Sequence, residues 1–332
     1  MKPLIKKLAE AFGPSGFESQ VRDLVRAEIK NLPDYVSEDR LGNLMAVVKK
    51  NSKTGKKVIL AAHLDEIGVI ASHVDRRGFV RFNQLGALLP GTCVGQRVRF
   101  LNGAMGVIDA DVRRDDPALP PALSDLYIDV GASNRDDCPV KVGDPGVFAR
   151  TLEEAGPRLV GKSLDDRVGV AVLIETMRTL KRTPHEVAFV FTAQQEVMAR
   201  GAGPAAFGLE ADLGLTIDLS GTGDTPNGHR KDVALGGGPA ILARDAGTVA
   251  NPYLKGLLLQ RAQEARLRVQ LDVQEHSYTD SLTLQTARGG LPTGGVSIPA
   301  RHLHTASEMV DLRDVQATVN LLAEFLQKPI EV

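Results

Sequence analysis

Apolar residues recur at helical spacing along residues 3–12 and 17–31. In the second stretch Val21, Leu24, Val25 and Ile29 fall near i, i+3, i+4 and i+8 of one helix face. The intervening "GPSG" is a turn signal, and Ser15 is placed to cap the second helix. "NLMAVVKK" (43–50) then predicts a strand. "KKVILAAH" (56–63) is a continuous apolar run, which suits a strand buried on both faces.

From about residue 70 the pattern changes. Short β-rich pieces alternate with turns: "IGVIASHVD", "FVRFN", "GQRVRFL", "AMGVIDA", "DLYIDVG" and "GVFAR". "DRRG" (75–78) reads as a hairpin turn. Helix signals are almost absent, and strands at this spacing predict a small barrel or sandwich. Near residue 156 helix–strand alternation resumes. Residues 166–181 predict a helix that offers Val168, Val172, Ile174 and Met177 for burial. "EVAFVFT" and "ADLGLTID" predict strands, "PYLKGLLLQRAQEARL" a helix and "RVQLDV" a strand. "DSLTLQTARGG" predicts a short helix with Thr279 as its cap, "PTGGVSIP" a strand, and "LRDVQATVNLLAEFLQK" a closing helix. The fold class expected is α/β. Residues 1–69 and 156–332 form an α/β/α sandwich around a mostly parallel sheet, interrupted by an inserted all-β, barrel-like unit at 70–155.

A chain of 332 residues fits this two-domain organisation. Lys plus Arg number 40 against 41 Asp plus Glu, without the basic excess typical of nucleic-acid binders. Cys93 and Cys138 lie far apart and form no CxxC, so they read as reduced thiols. The amino-terminal residues lack a signal-peptide pattern, and no run reaches the ~18 apolar residues of a membrane span. The expectation is a cytoplasmic protein without nucleic-acid or membrane partners.

Ionisable residues cluster just past the apolar runs. His63, Asp65 and Glu66 follow the first, and Asp165 and Asp166 precede a helix. Glu196 follows the second run, Asp218 the third, and His302 and His304 the last. In open α/β sheets ligands bind beyond the carboxyl ends of the strands, so parallel neighbours would gather these groups on one rim. Imidazoles with carboxylates make a nitrogen–oxygen set suited to Zn²⁺ or a similar divalent ion. Five ligands exceed the three of a single catalytic zinc. A bridging carboxylate would let them serve two metals about 3.5–4 Å apart. The His-x-Asp spacing lets Asp65 hydrogen-bond the His63 nitrogen that binds no metal. Taken singly, each piece is ordinary: Asp-Asp before a helix is usually a cap, and a lone histidine usually a surface or core residue.

The order of these motifs resembles the tetrahedral aminopeptidases, a family of dinuclear metallopeptidases that includes bacterial glutamyl aminopeptidases and cellulase-M-like members. The matching segments are "PSGFE" (14–18), "AHLDEIG" (62–68), "DLYIDVGA" (125–132), "VGDPGVF" (142–148), "GKSLDDRVG" (161–169), "YTDSLTLQ" (278–285) and "IPARHLH" (298–304). The resemblance implies two divalent metal ions per subunit, Zn²⁺ or Co²⁺ first. His63 and Asp218 would hold one, Glu196 and His304 the other, and Asp165 would bridge them through a cis peptide to Asp166. It implies that Asp65 orients His63, that 70–155 is a dimerisation domain, and that dimers assemble into a dodecamer admitting short peptides. A glycosidase reading, which the cellulase label suggests, fares poorly. The carboxylates are committed to metal, and aromatic platforms are scarce, with no Trp and four Tyr.

Two positions depart from the family pattern, which has two adjacent glutamates, the first the general base and the second a ligand. Here "FTAQQEVMARGA" puts Gln195 at the base position, and Met198 replaces a glycine. An amide has no useful basicity near neutral pH, and losing general acid–base help costs about 10²–10⁴ in rate. The expectation is an aminopeptidase impaired at Gln195, with Glu66 the nearest alternative proton carrier in sequence. The alternative is an inactive relative that binds metal or peptide. The segments 219–232 and 235–241 would line the substrate pocket, with His229 and Arg230 able to favour acidic residues.

Overall fold

The computed structural model describes residues 1–49, 55–111, 120–226, 228 and 230–331. Lys50, the end of one expected strand, and His229 lie outside the described residues. The chain opens with helices α1 (Lys2–Glu10) and α2 (Ser19–Glu28), then strands β1 (Tyr35–Glu38), β2 (Leu44–Lys49) and β3 (Lys57–His63). Next come β4 (Gly68–Val74), β5 (Val80–Leu85), short helix α3 (Pro90–Cys93), β6 (Arg97–Phe100), β7 (Met105–Ala110), β8 (Leu126–Asp129) and β9 (Pro145–Phe148). These six strands close into an antiparallel barrel in the order β4-β5-β8-β7-β6-β9. Val80, Val98, Phe100, Ile108 and Ile128 fill its centre. The "DRRG" hairpin closes with Gly78 N donating to Asp75 O at 3.1 Å.

The remaining elements are β10 (Glu153–Ala155), β11 (Arg158–Gly161), α4 (Leu164–Thr179), β12 (Glu186–Thr192), α5 (Ala202–Leu209), β13 (Leu213–Gly221) and β14 (Ala240–Arg244). They are followed by α6 (Pro252–Glu264), β15 (Gln270–Val273), α7 (Ser281–Leu284), β16 (Thr293–Arg301), β17 (Glu308–Asp311) and α8 (Leu312–Gln327). An 11-stranded sheet runs β1-β2-β12-β3-β13-β16-β17-β11-β10, with β14 and β15 branching from β16. Along this path only its centre, β12-β3-β13-β16, is parallel. The flanks pair antiparallel, so the sheet is mixed rather than mostly parallel.

Alternation along each strand explains the layers. Leu44, Ala46 and Val48 of β2 face one core with Leu60 and Phe189, under α1, α4 and α8. Met45 and Val47 face the other, with Ile59 and Ala188, against α5 and α7. Strands covered on both faces carry apolar residues at consecutive positions, which is why these runs read as continuous. Helix α4 is buried nearly all round, Val168, Val172 and Ile174 completely. Each such side chain contributes about 1.5–3 kcal/mol. No helix among the described residues is long and apolar enough to cross a membrane. Both cysteines are free thiols, and burial pushes Cys93 up to about 11.

Two local expectations differ in detail. Ser15 does not cap α2, which begins at Ser19 without a side-chain cap; its hydroxyl donates to Asp65 Oδ2 instead. Thr279 lies one residue ahead of the α7 cap position, accepting from Ser281 N at 3.2 Å while donating to Asp245 at 2.9 Å. Both hydroxyls donate to buried carboxylates, which are costly to leave unpaired.

Candidate metal centre

Parallel register at the sheet centre brings the chain's acid and imidazole groups to one rim. His63 ends β3, Glu196 follows β12, Asp218 lies near the end of β13, and His304 follows β16. Asp165 and Asp166 sit at the start of α4 with non-helical backbone angles and a cis peptide between them. His63 Nε2 lies 3.2 Å from Asp165 Oδ1 and 3.9 Å from Asp218 Oδ1. His304 Nε2 lies 3.5 Å from the other Asp165 oxygen. Asp165 thus stands between the two imidazoles, one oxygen toward each. His63, Asp165 and Glu196 offer ligand atoms within 4.8 Å of one another, as do His63, Asp166 and Asp218. Asp166 takes two backbone N–H groups, from His63 at 3.2 Å and Gly169 at 3.1 Å, so it works as the expected helix cap. His302 is exposed and stays outside the cluster.

Asp65 does more than orient an imidazole. Its backbone carbonyl meets His63 Nδ1 at 3.1 Å, and its Oδ1 lies 3.4 Å from the same nitrogen. Its carboxylate also accepts the backbone N–H of Gln195 at 2.9 Å and of Glu196 at 3.0 Å. One buried acid therefore fixes both the first imidazole and the loop that carries Glu196. Tyr278 holds the same loop from the other side. Its carbonyl accepts from Gln195 Nε2 at 3.0 Å, its hydroxyl accepts from Met198 N at 3.1 Å, and that hydroxyl meets Glu196 O at 3.3 Å. Met198 has φ 79°, a conformation that favours glycine.

Glu66 cannot serve as a proton carrier at this centre. Its oxygens are taken by Lys162 Nζ at 2.6 Å, Arg167 Nη2 at 3.3 Å and Gly13 N at 3.1 Å, in a buried cluster of its own. Three contributors escaped the sequence reading. Glu308 on β17 accepts the N–H of Asp165 at 2.9 Å and of His304 at 3.0 Å, tying Asp165 to the His304 loop. Gly86, just beyond barrel strand β5, leaves so little room that a Cβ there would meet Glu196 Oε2 at 2.7 Å. Asp280 is buried beside Thr192, whose hydroxyl it accepts. The short strand "EMVD" and the lone glycine carried no periodic or spacing signal that could have revealed them.

Electrostatics show an excess of negative charge. Burial raises Glu196 to about 7 and Glu308 to about 8, and burial with the Asp165 charge raises Asp218. Burial opposes charge on His304, but the Asp165 hydrogen bond prevails and lifts it to about 9. Burial likewise disfavours charge on Asp165, yet the bonds from His304 and His63 hold its carboxyl low. Glu196 Oε1 is buried and, among the described residues, has no hydrogen-bond partner. An orphaned buried acceptor among crowded carboxylates and imidazoles is the donor set of a divalent cation site, so these residues fit metal.

The profile of the M42 glutamyl aminopeptidase family matches residues 42–321. The chain belongs to that family. A lysyl aminopeptidase of Pyrococcus furiosus is 32% identical to this M42 protein over 345 residues, covering 99% of this chain and 98% of the relative. An aminopeptidase structure from Desulfurococcus kamchatkensis superposes with TM-score 0.93 at 36% identity, covering 98% of this chain and 94% of that one. The TET1 peptidase of Pyrococcus horikoshii superposes with TM-score 0.89 at 27% identity, covering 98% and 99%. That peptidase can assemble into a tetrahedron or a large octahedral shell.

Proposed function

We propose that this M42 protein is a metal-dependent aminopeptidase that removes amino-terminal residues from short peptides at a two-metal centre, with its rate held down by Gln195. The observation that carries this reading is Asp165 standing between His63 and His304 with one oxygen toward each. His63 and Asp218 would hold one ion, Glu196 and His304 the other, and Asp165 would be shared. Asp166 is left out because its carboxylate already serves two backbone N–H groups. Zn²⁺ or Co²⁺, when bound, supplies Lewis acidity toward a peptide carbonyl and acidifies water.

The protein's own residues divide the remaining work. Asp65 and Tyr278 position the 195–198 loop and with it Glu196. Gln195 sits where a proton carrier is needed, but its Nε2 is already donating to the Tyr278 carbonyl. An amide neither accepts nor releases a proton near neutral pH, and the locked Glu66 offers no replacement. This missing carrier supports the second reading, a relative that binds metal or peptide without turnover. We assign 70–155 as the dimerisation domain and a dodecamer built from dimers as the assembly; the tetrahedral Pyrococcus horikoshii relative supports this. Light scattering on the purified protein tests it.

The deciding experiment assays Zn²⁺- and Co²⁺-loaded protein on aminoacyl chromogenic substrates, with chelator-treated protein beside it. Slow, metal-dependent release is expected. No cleavage from protein that binds two ions per chain would establish the binding-only reading. Activity that survives complete metal removal would overturn both.

A further inference from the structure

Away from the metal centre, a cavity of about 630 Å³ opens between the barrel and the main body. Barrel strands β6 and β9 supply one wall, and the end of α1 with the segment entering β10 supplies the other. Arg97, Arg99 and Arg150 line it, with Glu10 and Glu153 opposite and Lys162 beneath. Lys162 is buried and matched by Glu66 at 2.6 Å, so that pair is close to neutral. Glu10 is turned partly away, its Oε1 accepting from Leu152 N at 3.0 Å. Arg99 makes a long bond, 3.4 Å, to the Glu10 carbonyl. Among the described residues, no carboxylate lies within ion-pair distance of Arg97 or Arg150.

Three arginines line one cavity, Arg97 and Arg150 exposed and Arg99 half-buried, and among the described residues none of them is ion-paired to a carboxylate. We infer that this cavity is a binding site for a small phosphate-bearing anion. Guanidinium forks match tetrahedral oxyanions bidentately, which a single ammonium does not. The volume falls within the ~300–1,000 Å³ of small-molecule sites, so it accommodates a phosphate with an organic group attached. A ligand held by Arg97 and Arg99 on β6 and by Arg150 on the chain leaving β9 would sit against the Lys162–Glu66 pair. It would join barrel to body. The inference is independent of the aminopeptidase reading.

The test titrates inorganic phosphate into the intact, metal-loaded assembly by calorimetry at fixed ionic strength, with chloride as control. Saturable binding at one site per chain is expected. Arg97→Gln and Arg150→Gln should each weaken it about tenfold or more, since each removes a charge-assisted hydrogen bond. Glu153→Gln should tighten it by removing an opposing charge, and it gives a second reading of the opposite sign. Metal stoichiometry measured on each variant reports whether the fold is intact. Absence of saturable binding would overturn the inference. So would phosphate binding that neither arginine variant changes, because the anion would then occupy another site.

Discussion

Replacing Gln195 by glutamate separates the two jobs of its position. The Gln195 side chain is 5% exposed, and its Nε2 donates to the Tyr278 carbonyl at 3.0 Å. In Gln195→Glu an oxygen faces that carbonyl, so one buried hydrogen bond is lost and an acceptor is left unmatched. Such a change costs about 1–3 kcal/mol of stability. The backbone bond from residue 195 to Asp65, 2.9 Å, is indifferent to the side chain and keeps the loop in place. The restored carboxylate can carry protons, which is worth about 10²–10⁴ in rate, roughly 3–5 kcal/mol of barrier. The variant should therefore be faster and less stable at once. The assay is kcat on an aminoacyl chromogenic substrate for both proteins at full metal loading, with calorimetric unfolding of each. Equal kcat values would refute the claim that Gln195 limits the rate. A variant as stable as its parent would refute the Tyr278 hydrogen bond as the group that anchors the amide.

Other perturbations reach the supports of the site. Glu308→Gln retains one accepting oxygen for the two N–H groups of Asp165 and His304. Stability should fall by about 1–3 kcal/mol and metal affinity by about 10–100-fold, measured by competition with a chromogenic chelator. Arg167→Met removes a fully buried guanidinium that donates to Leu8, Gly13 and Leu64 carbonyls and to Glu66. It should cost about 3–5 kcal/mol in denaturant unfolding; a neutral result would mean that the buried cluster is dispensable. Asp224 is held at about 2 by its hydrogen bond from Arg301, below the ~3.9 of an unfolded chain. A depressed carboxyl contributes stability that is complete above pH ~4 and is lost as pH falls toward 2. Partial exposure limits this to about 1 kcal/mol, so Asp224→Asn should be destabilised by that amount at pH 6 and match its parent near pH 2.

Much of this architecture is legible because burial writes itself into the chain. Strands β3, β12 and β13 are covered on both faces, so "VILAA" and "VAFVF" are apolar without interruption and the first polar residue marks the strand end, whereas in β13 Thr216 and Asp218 are polar residues buried within the strand. That is how His63, Glu196 and Asp218 come to notice together. Helix α5 carries no clear signal because Gly203, Pro204 and Gly208 interrupt its Ala and Leu residues, and its packing on β12 and α7 supports it. Strand β1 is four residues long and half exposed, with no alternation to read. Side-chain direction was the other gap. Asp65 and Glu66 are neighbours, yet one faces the metal centre and the other a separate cluster with Lys162 and Arg167. Adjacent residues at a strand end point to opposite sides, so proximity in sequence misplaced Glu66 beside the reacting groups.

The same geometry explains how position 195 can change without dismantling the site. Glu196 is placed by backbone contacts. Asp65 accepts from the N–H of 195 and 196, Tyr278 brackets 196 and 198, and Ala199 N donates to the Gln195 carbonyl at 2.8 Å. None of these involves the side chain at 195. Exchanging a carboxylate there for an amide of nearly equal shape alters proton transfer and leaves the ligand geometry as it was. On the proposed two-metal reading, metal affinity and turnover should separate: Gln195→Glu is expected to bind two ions as its parent does while differing in kcat. Asp65→Asn should disturb both, since an amide has one accepting oxygen where the loop requires two. If Asp65→Asn kept full metal affinity, Glu196 would have to be held by something other than the backbone contacts that define the loop.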